Sequence, residues 1–420
     1  MLIAAVCVLS LICFNKYVKN AVDPRIPKLA FLCGSFFVMA LIATRRVNIG
    51  YDYQMYARGF WRLGIDGFPS GGDILNAVAD RTKNLFLKGD VIGIFRGYYL
   101  DWEWGFILLT KTVVFFTRNI HVYMGIVSAV CLAGPFYLIY RYSKNVWMSV
   151  LLYVNLYFFY CTMNFMRQSI AISIVLFAYT FLMNRKFIPY CLLILAAALF
   201  HSTVLIMLPA YFLIKFKPSL RIPLVYAFFI MWVFISSNAA LELLLGNIFT
   251  KYVHYLDTSF LAEGIDLIHI VVPALIIITG IYFTVKFAKT ANDTNKTFFI
   301  QTNLMYFSFF WLSVMLRHSI LERVSYYSYV LVILYVPELI AFIDVRYKDY
   351  LNKKYNILVR RGKLTGDEQK SLILKYKNRR KIVSGAVTAA VVIITVSYNI
   401  FGLVAYDRGV HGIYPYQTWA

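Results

Sequence analysis

Apolar runs that are long enough, or nearly long enough, to cross a bilayer recur along the whole chain, and clusters of lysine and arginine separate them. A membrane-spanning helix needs roughly 20 apolar residues. The chain is 60% hydrophobic and only 15% charged, whereas a typical soluble domain is about 25% charged. The pattern predicts an all-α, polytopic integral membrane protein with about 11–14 transmembrane or re-entrant helices, in one domain that spans residues 1–420.

Lysine and arginine are enriched in the cytoplasmic loops of membrane proteins, so their distribution predicts the orientation. The stretch 344–381 carries thirteen basic residues and four acidic ones, which indicates a cytoplasmic loop. Residues 45–104 and 236–266 are then predicted to be outer loops, and residues 406–420 an outer tail. The net charge of +22 is explained by this topology and by attraction to anionic membrane lipids. Nucleic acid is not a predicted partner.

The six cysteines lie mostly inside apolar runs and show no CxxC spacing, which is typical of buried packing residues. The basic loop has no glycine-rich phosphate-binding motif, so nucleotide binding is not expected. We therefore predict no cofactor and no metal. The sequence has no closely spaced acidic pair of the DxD kind, which argues against a required metal. Asp52 together with Glu103 is the one pair that keeps a metal site open as an alternative.

The stretch from Cys161 to Phe181 reads as a membrane-spanning helix that begins with Arg167 and Gln168. A buried arginine in a membrane is costly and usually has a partner or a ligand. The local sequence shows no acidic partner for Arg167. Arg185 and Lys186 follow the helix and indicate that its far end is cytoplasmic, so Arg167 is predicted to lie on the outer side.

The same topology brings further polar side chains to the outer side, and the planar fork of arginine suits phosphate oxygens in particular. The predicted ligands of a lipid diphosphate are Arg46, Arg167, Arg317 and Arg323. The predicted supporting residues are Gln168, Glu103 and His318. For each arginine the alternative is an interfacial side chain whose charge reaches the water layer.

Asp52 and His201 are the candidates for a general base, because a carboxylate or an imidazole can take a proton from a sugar hydroxyl. Simpler interpretations stay open for both residues. Asp52 follows Gly50, so it can be a turn or cap residue, or the ion-pair partner of Arg46. His201 lies amid apolar residues, so it can be a packing histidine that bonds a backbone carbonyl.

Six segments, in this order, resemble the EpsG family of membrane proteins, which groups with the Wzy-type O-antigen and capsule polymerases. The segments are RRVNIGYDYQMYARGF, WEWGFILL, NFMRQSIAISI, ALFHSTVLIMLPAYFL, RVSYYSYV and IYPYQTW. The resemblance covers nearly the whole chain. It implies a helical frame similar to that of the GT-C glycosyltransferases, which carry an acidic residue in the first outer loop, where Asp52 is predicted to lie.

The resemblance also implies an activity: transfer of a growing glycan from undecaprenyl diphosphate to the next lipid-linked repeat unit, at the outer face of the bacterial plasma membrane. The implied partners are the lipid-linked donor and acceptor, together with a chain-length regulator. Two alternatives remain open at this point. An O-antigen ligase would use the same donor with another acceptor, and a flippase or exporter of lipid-linked glycan would also need outward-facing cations.

Overall fold

The structure is a computed structural model. It describes residues 25–44, 49–50, 52–65, 71–88, 93–97, 102–214, 224–226, 231, 268–287, 296–314, 322–360 and 366–404. The predicted outer loop 236–266 and the predicted tail 406–420 lie outside this part of the chain.

Helices account for nearly all of the regular structure in these residues, so the all-α prediction is confirmed. In chain order the α-helices are α1 (Arg25–Ile42), α2 (Tyr53–Ile65), α3 (Gly71–Lys88), α4 (Trp104–Phe116), α5 (Ile120–Tyr142), α6 (Val146–Asn155), α7 (Phe158–Asn164), α8 (Met166–Met183), α9 (Phe187–Ala198), α10 (Ala210–Leu213), α11 (Ile268–Phe287), α12 (Lys296–Val314), α13 (Glu322–Tyr329), α14 (Val332–Arg360) and α15 (Gly366–Val404). Short 3₁₀ helices span Gly93–Phe95 and Ser202–Met207.

Four helices in the described part of the chain are long and apolar enough to cross a membrane: α1, α5, α8 and residues Asp367–Val404 of α15. The number rises to six if each of two bent helix pairs counts as one span. The protein is therefore a polytopic membrane protein, as the apolar runs predicted. The expected total of about 11–14 spans also counts segments outside the described residues and stays a prediction.

The core is organised around α5 and α8, which cross at Gly134. The backbone N–H of Gly134 donates a hydrogen bond to the Ser173 hydroxyl at 2.8 Å, and that hydroxyl donates to the carbonyl of Val130 at 2.9 Å. A Cβ atom at residue 134 would lie 2.1 Å from the backbone oxygen of Ser173. Small residues allow such close approach between membrane helices, so glycine is required here.

A sharp bend of 51° separates α6 from α7. It is made by Tyr157, which has φ 65°, a left-handed conformation that non-glycine residues rarely adopt. The Tyr157 hydroxyl donates to the carbonyl of Tyr398 in α15 at 2.6 Å. This tertiary contact holds the bend.

Helices occupy two segments that the sequence predicts as loops. In the basic stretch 344–381, α14 continues to Arg360 and α15 begins at Gly366. The guanidinium of Arg380 pairs with both carboxylate oxygens of Asp344 and ties the two helices together. In the segment 45–104, α2 and α3 form.

The α5–α8 crossing can be tested by adding one methyl group. We expect Gly134→Ala to lower the melting temperature of the detergent-purified protein, because the backbone of Ser173 must move to admit the new Cβ atom. Gly34→Ala is the matched control: it lies in α1 with no atom within 4 Å of an added Cβ. It should leave the melting temperature unchanged or slightly higher, since alanine favours the helix by about 0.5–1 kcal/mol. Equal effects of the two substitutions would contradict the close crossing.

Candidate functional site

Glu103 is the centre of the polar cluster, and its side chain is 0% exposed. It immediately precedes α4, and one of its oxygens, Oε2, accepts a hydrogen bond from Nη1 of Arg167 at 2.6 Å. The Arg167 side chain is 14% exposed. A buried carboxylate is tolerated only with partners of this kind. The acidic partner that the local sequence does not show for Arg167 thus lies 64 residues earlier in the chain.

The second oxygen of Glu103, Oε1, faces the turn between α9 and the second 3₁₀ helix. The backbone N–H and the hydroxyl of Ser202 donate to it at 3.4 and 3.5 Å. Nδ1 of His201 lies 3.4 Å from the same oxygen, close enough for electrostatic coupling but not aligned for a hydrogen bond. The backbone N–H of Gly105 donates to the carbonyl of Leu199 at 2.8 Å, which fixes the start of α4 against this turn.

Tyr56 of α2 is a second partner of Arg167. Its buried hydroxyl is hydrogen-bonded by both the backbone N–H and the side chain of Arg167. Arg167 is the second residue of α8, where backbone N–H groups have no partner within the helix. Burial raises the pKa of Tyr56 to about 12, against the opposing charge and hydrogen bonds of Arg167. Tyr56 therefore stays a neutral phenol at physiological pH.

Asp52 lies one helical turn before Tyr56, at the start of α2. Its carbonyl accepts the first hydrogen bond of that helix, from the N–H of Tyr56, so the cap interpretation fits its backbone. Its carboxylate experiences the charges of Arg323 and Arg167. Burial raises the pKa of Asp52 above its ordinary value, and the two guanidinium groups partly offset this effect.

Arg323 of α13 is exposed, and its guanidinium lies over the ring of Phe165, 4.0 Å from the centroid. Its backbone carbonyl accepts a hydrogen bond from Nε2 of Gln168. Stacking on an aromatic face orients the guanidinium plane and leaves its N–H groups available at the edges. Gln168 thus supports the backbone of Arg323, while Phe165 orients its charge.

The structure brings together five of the nine predicted site residues through direct contacts or through their charges. They are Asp52, Glu103, Arg167, His201 and Arg323, and Gln168 adjoins them through the backbone of Arg323. The other three predicted residues, Arg46, Arg317 and His318, lie outside the described residues. The roles given to all nine stay predictions.

Sequence reasoning missed two members of the cluster, Tyr56 and Ser202. The signal for Tyr56 was its spacing of four residues from Asp52, which places both on one helical face. Ser202 directly follows His201 and binds Glu103 partly through its backbone N–H. No pattern of side chains reveals a backbone contact of this kind. Among the described residues, no group of three or more His, Cys, Asp or Glu side chains could hold a metal ion.

The fold and this cluster define a class: a polytopic helical membrane protein with carboxylates, a histidine and guanidinium groups gathered at one place. The chain belongs to the EpsG family, whose profile matches residues 29–359. This is a family of Wzy-like polysaccharide polymerase type proteins. Membership supports a polysaccharide polymerase-like role, a glycosyltransferase-like activity and lipid-linked polysaccharide substrates in general.

Neither a comparison with curated proteins nor one with solved structures gives a match. The GT-C-like frame therefore stays a prediction.

The ion pair between Glu103 and Arg167 can be measured with a double-mutant cycle. Glu103→Gln should destabilise the purified protein by about 3–5 kcal/mol, because it leaves the largely buried Arg167 charge uncompensated. The double variant Glu103→Gln/Arg167→Met should lose less stability than the two single variants lose together. The control Asp349→Asn removes a half-exposed carboxylate that lies 3.7 Å from Arg346, and it should cost less than about 1 kcal/mol. Additive losses in the cycle would show that the two side chains do not interact.

Proposed function

We propose that this protein is a polysaccharide polymerase that transfers a growing glycan from undecaprenyl diphosphate to the next lipid-linked repeat unit at the outer face of the bacterial plasma membrane. One observation carries the proposal: Asp52 shares its surroundings with two guanidinium groups, those of Arg167 and Arg323. An acceptor base and a cationic site for a diphosphate are the two groups that such a transfer requires.

The leaving group is the first requirement. In the transfer, the bond between the anomeric carbon and a diphosphate oxygen breaks, and undecaprenyl diphosphate leaves with additional negative charge. Arg323 is exposed and oriented by Phe165, so its N–H groups can bind phosphate oxygens. Arg167 is held by Glu103 and Tyr56 and adds a second positive charge. Fixed cations of this kind stabilise developing charge without reorganisation during the reaction.

The base is the second requirement. The acceptor hydroxyl forms the new glycosidic bond, and its proton goes to the Asp52 carboxylate. A general base works best when its pKa approaches the operating pH, and burial shifts the pKa of Asp52 in that direction. The neighbouring guanidinium groups keep the carboxylate ionised. His201 is the runner-up, because Glu103 lies beside its Nδ1 and can stabilise an imidazolium.

The outer-face location rests on the distribution of basic residues, which assigns the far end of α8 to the cytoplasm. Transfer between lipid-linked partners needs no nucleotide sugar, which agrees with a site at the outer face.

The first test is the length of the surface glycan. A deletion strain should lose the ladder of long chains while single lipid-linked repeat units persist at the outer surface. Loss of the single units from that surface would instead indicate a flippase.

In the same deletion strain, a gene that encodes Arg167→Lys should restore the ladder poorly, because an ammonium group cannot reproduce the two-pronged contact of guanidinium. The control Arg58→Lys changes an exposed arginine of α2 and should restore the ladder fully.

The second test is the pH dependence of the purified enzyme with lipid-linked repeat units. Activity requires ionised Asp52, so the rate should be maintained at high pH and fall as the pH drops through the pKa of Asp52, above the ordinary carboxyl value of 3.8. Asp52→Asn should lower the rate by about 10²–10⁴ and abolish this acid limb. His201→Ala should retain it. If the limb instead survives in Asp52→Asn and disappears in His201→Ala, histidine is the base.

A further inference from the structure

Arg96 lies beside the polar cluster but takes no part in the contacts described so far. It directly follows the 3₁₀ helix Gly93–Phe95 and forms an isolated antiparallel bridge with Glu103. The backbone N–H of Gly97 donates to the carbonyl of Trp102 at 2.7 Å and closes this bridge. Residues opposite each other in an antiparallel pair project their side chains to the same face, with Cβ atoms about 4.5–5.5 Å apart. The Arg96 side chain therefore leaves the backbone next to that of Glu103.

The guanidinium of Arg96 is buried at two of its nitrogens. Nε and Nη2 are inaccessible to solvent and have no hydrogen-bond acceptor within the described part of the chain. A buried donor without an acceptor costs about 1–3 kcal/mol, and more when it is charged. Neither nitrogen is bonded to Glu103, whose oxygens receive Arg167 and Ser202.

Among the residues that the structure describes, the charges of the cluster leave one cation in excess. Arg167 is matched by Glu103, and Arg323 is coupled to Asp52, whereas the charge of Arg96 has no counterpart in the described contacts. An orphaned guanidinium beside an ion pair has the properties of an anion site, because five rigid N–H donors suit a group with several oxygens.

We infer that Arg96 is a further ligand of the lipid-linked substrate and binds the oxygens of its diphosphate group. The inference rests on the proposed function for the identity of the anion. It adds a cation that is contributed by the short segment before α4. The unsatisfied donors of Arg96 lower the stability of the free protein, and their hydrogen bonds to the diphosphate raise the affinity of the complex.

The experiment measures binding to the full-length protein in detergent, without polymerisation. The probes are inorganic pyrophosphate, undecaprenyl diphosphate and phosphatidylglycerol. Arg96→Gln should weaken the binding of both diphosphate probes about tenfold to a hundredfold, which corresponds to the loss of a charged hydrogen bond. Arg96→Lys should weaken it less. The matched control Arg58→Gln removes an exposed arginine of α2 and should leave both affinities unchanged.

A readout on the free protein separates binding from a structural role. Because two buried nitrogens of Arg96 have no acceptor among the described residues, Arg96→Gln should leave the melting temperature without probe unchanged or raise it. A drop as large as that of Glu103→Gln would mean that Arg96 holds the fold and would overturn the inference. Unchanged affinity for both diphosphate probes would overturn it as well. So would an Arg96-dependent affinity for phosphatidylglycerol alone, because the anion would then be a phospholipid headgroup.

The outcome is independent of the glycan assay. If deletion leaves the glycan ladder intact while pyrophosphate binding still requires Arg96, the proposed function fails and Arg96 remains a diphosphate ligand. If the ladder is lost while pyrophosphate binding is insensitive to Arg96, the polymerase stands and the inference fails.

Discussion

The ion pair between Glu103 and Arg167 is the interaction on which the polar cluster depends. Glu103 is inaccessible to solvent, so its charge is stable only while Arg167, Ser202 and the neighbouring His201 surround it. These partners come from the start of α8 and from the turn after α9, while Glu103 itself comes from the start of α4. One carboxylate therefore holds three chain segments at a common point. Arg167 adds α2 to this point by donating hydrogen bonds to the Tyr56 hydroxyl.

Two features of the helical frame position the polar cluster: close packing between helices and breaks within the helices. Gly134 lets α5 approach the backbone of α8, which sets the position of the helix that carries Arg167. The chain breaks between α9 and the 3₁₀ helix at Ser202, and this break exposes a backbone N–H for Glu103. Backbone irregularity within a membrane is tolerated where protein or a polar cavity surrounds it. The breaks are thus the places where backbone groups become available to a site.

The sequence was sufficient to predict the helical class, and it named most of the residues that gather around Glu103. Those predictions rest on apolar run length and on charge asymmetry, which are local and directly readable. The partner of Arg167 was not predictable, because 64 residues separate it from Glu103 and no periodicity links them. The helices in 344–381 were missed for another reason. Their exposed positions are rich in lysine and arginine, so composition alone resembles a loop, although both residue types favour helices. Arg96 escaped notice because its significance lies in buried nitrogens that have no acceptor among the described residues, which no sequence pattern reveals.

Arg167 is largely buried and Arg323 is exposed, so dissolved salt affects their charges differently. Charges in water are screened within roughly 8 Å at physiological ionic strength, whereas buried pairs are screened far less. The bond between Glu103 and Arg167 is therefore insulated from the salt content of the surroundings, and the positions of α4 and α8 do not vary with it. Arg323 stands on an aromatic ring in contact with solvent, so mobile ions compete directly for its charge. The architecture is thus fixed by an interaction that the surrounding medium does not reach, while the charge of Arg323 is subject to competition from dissolved ions.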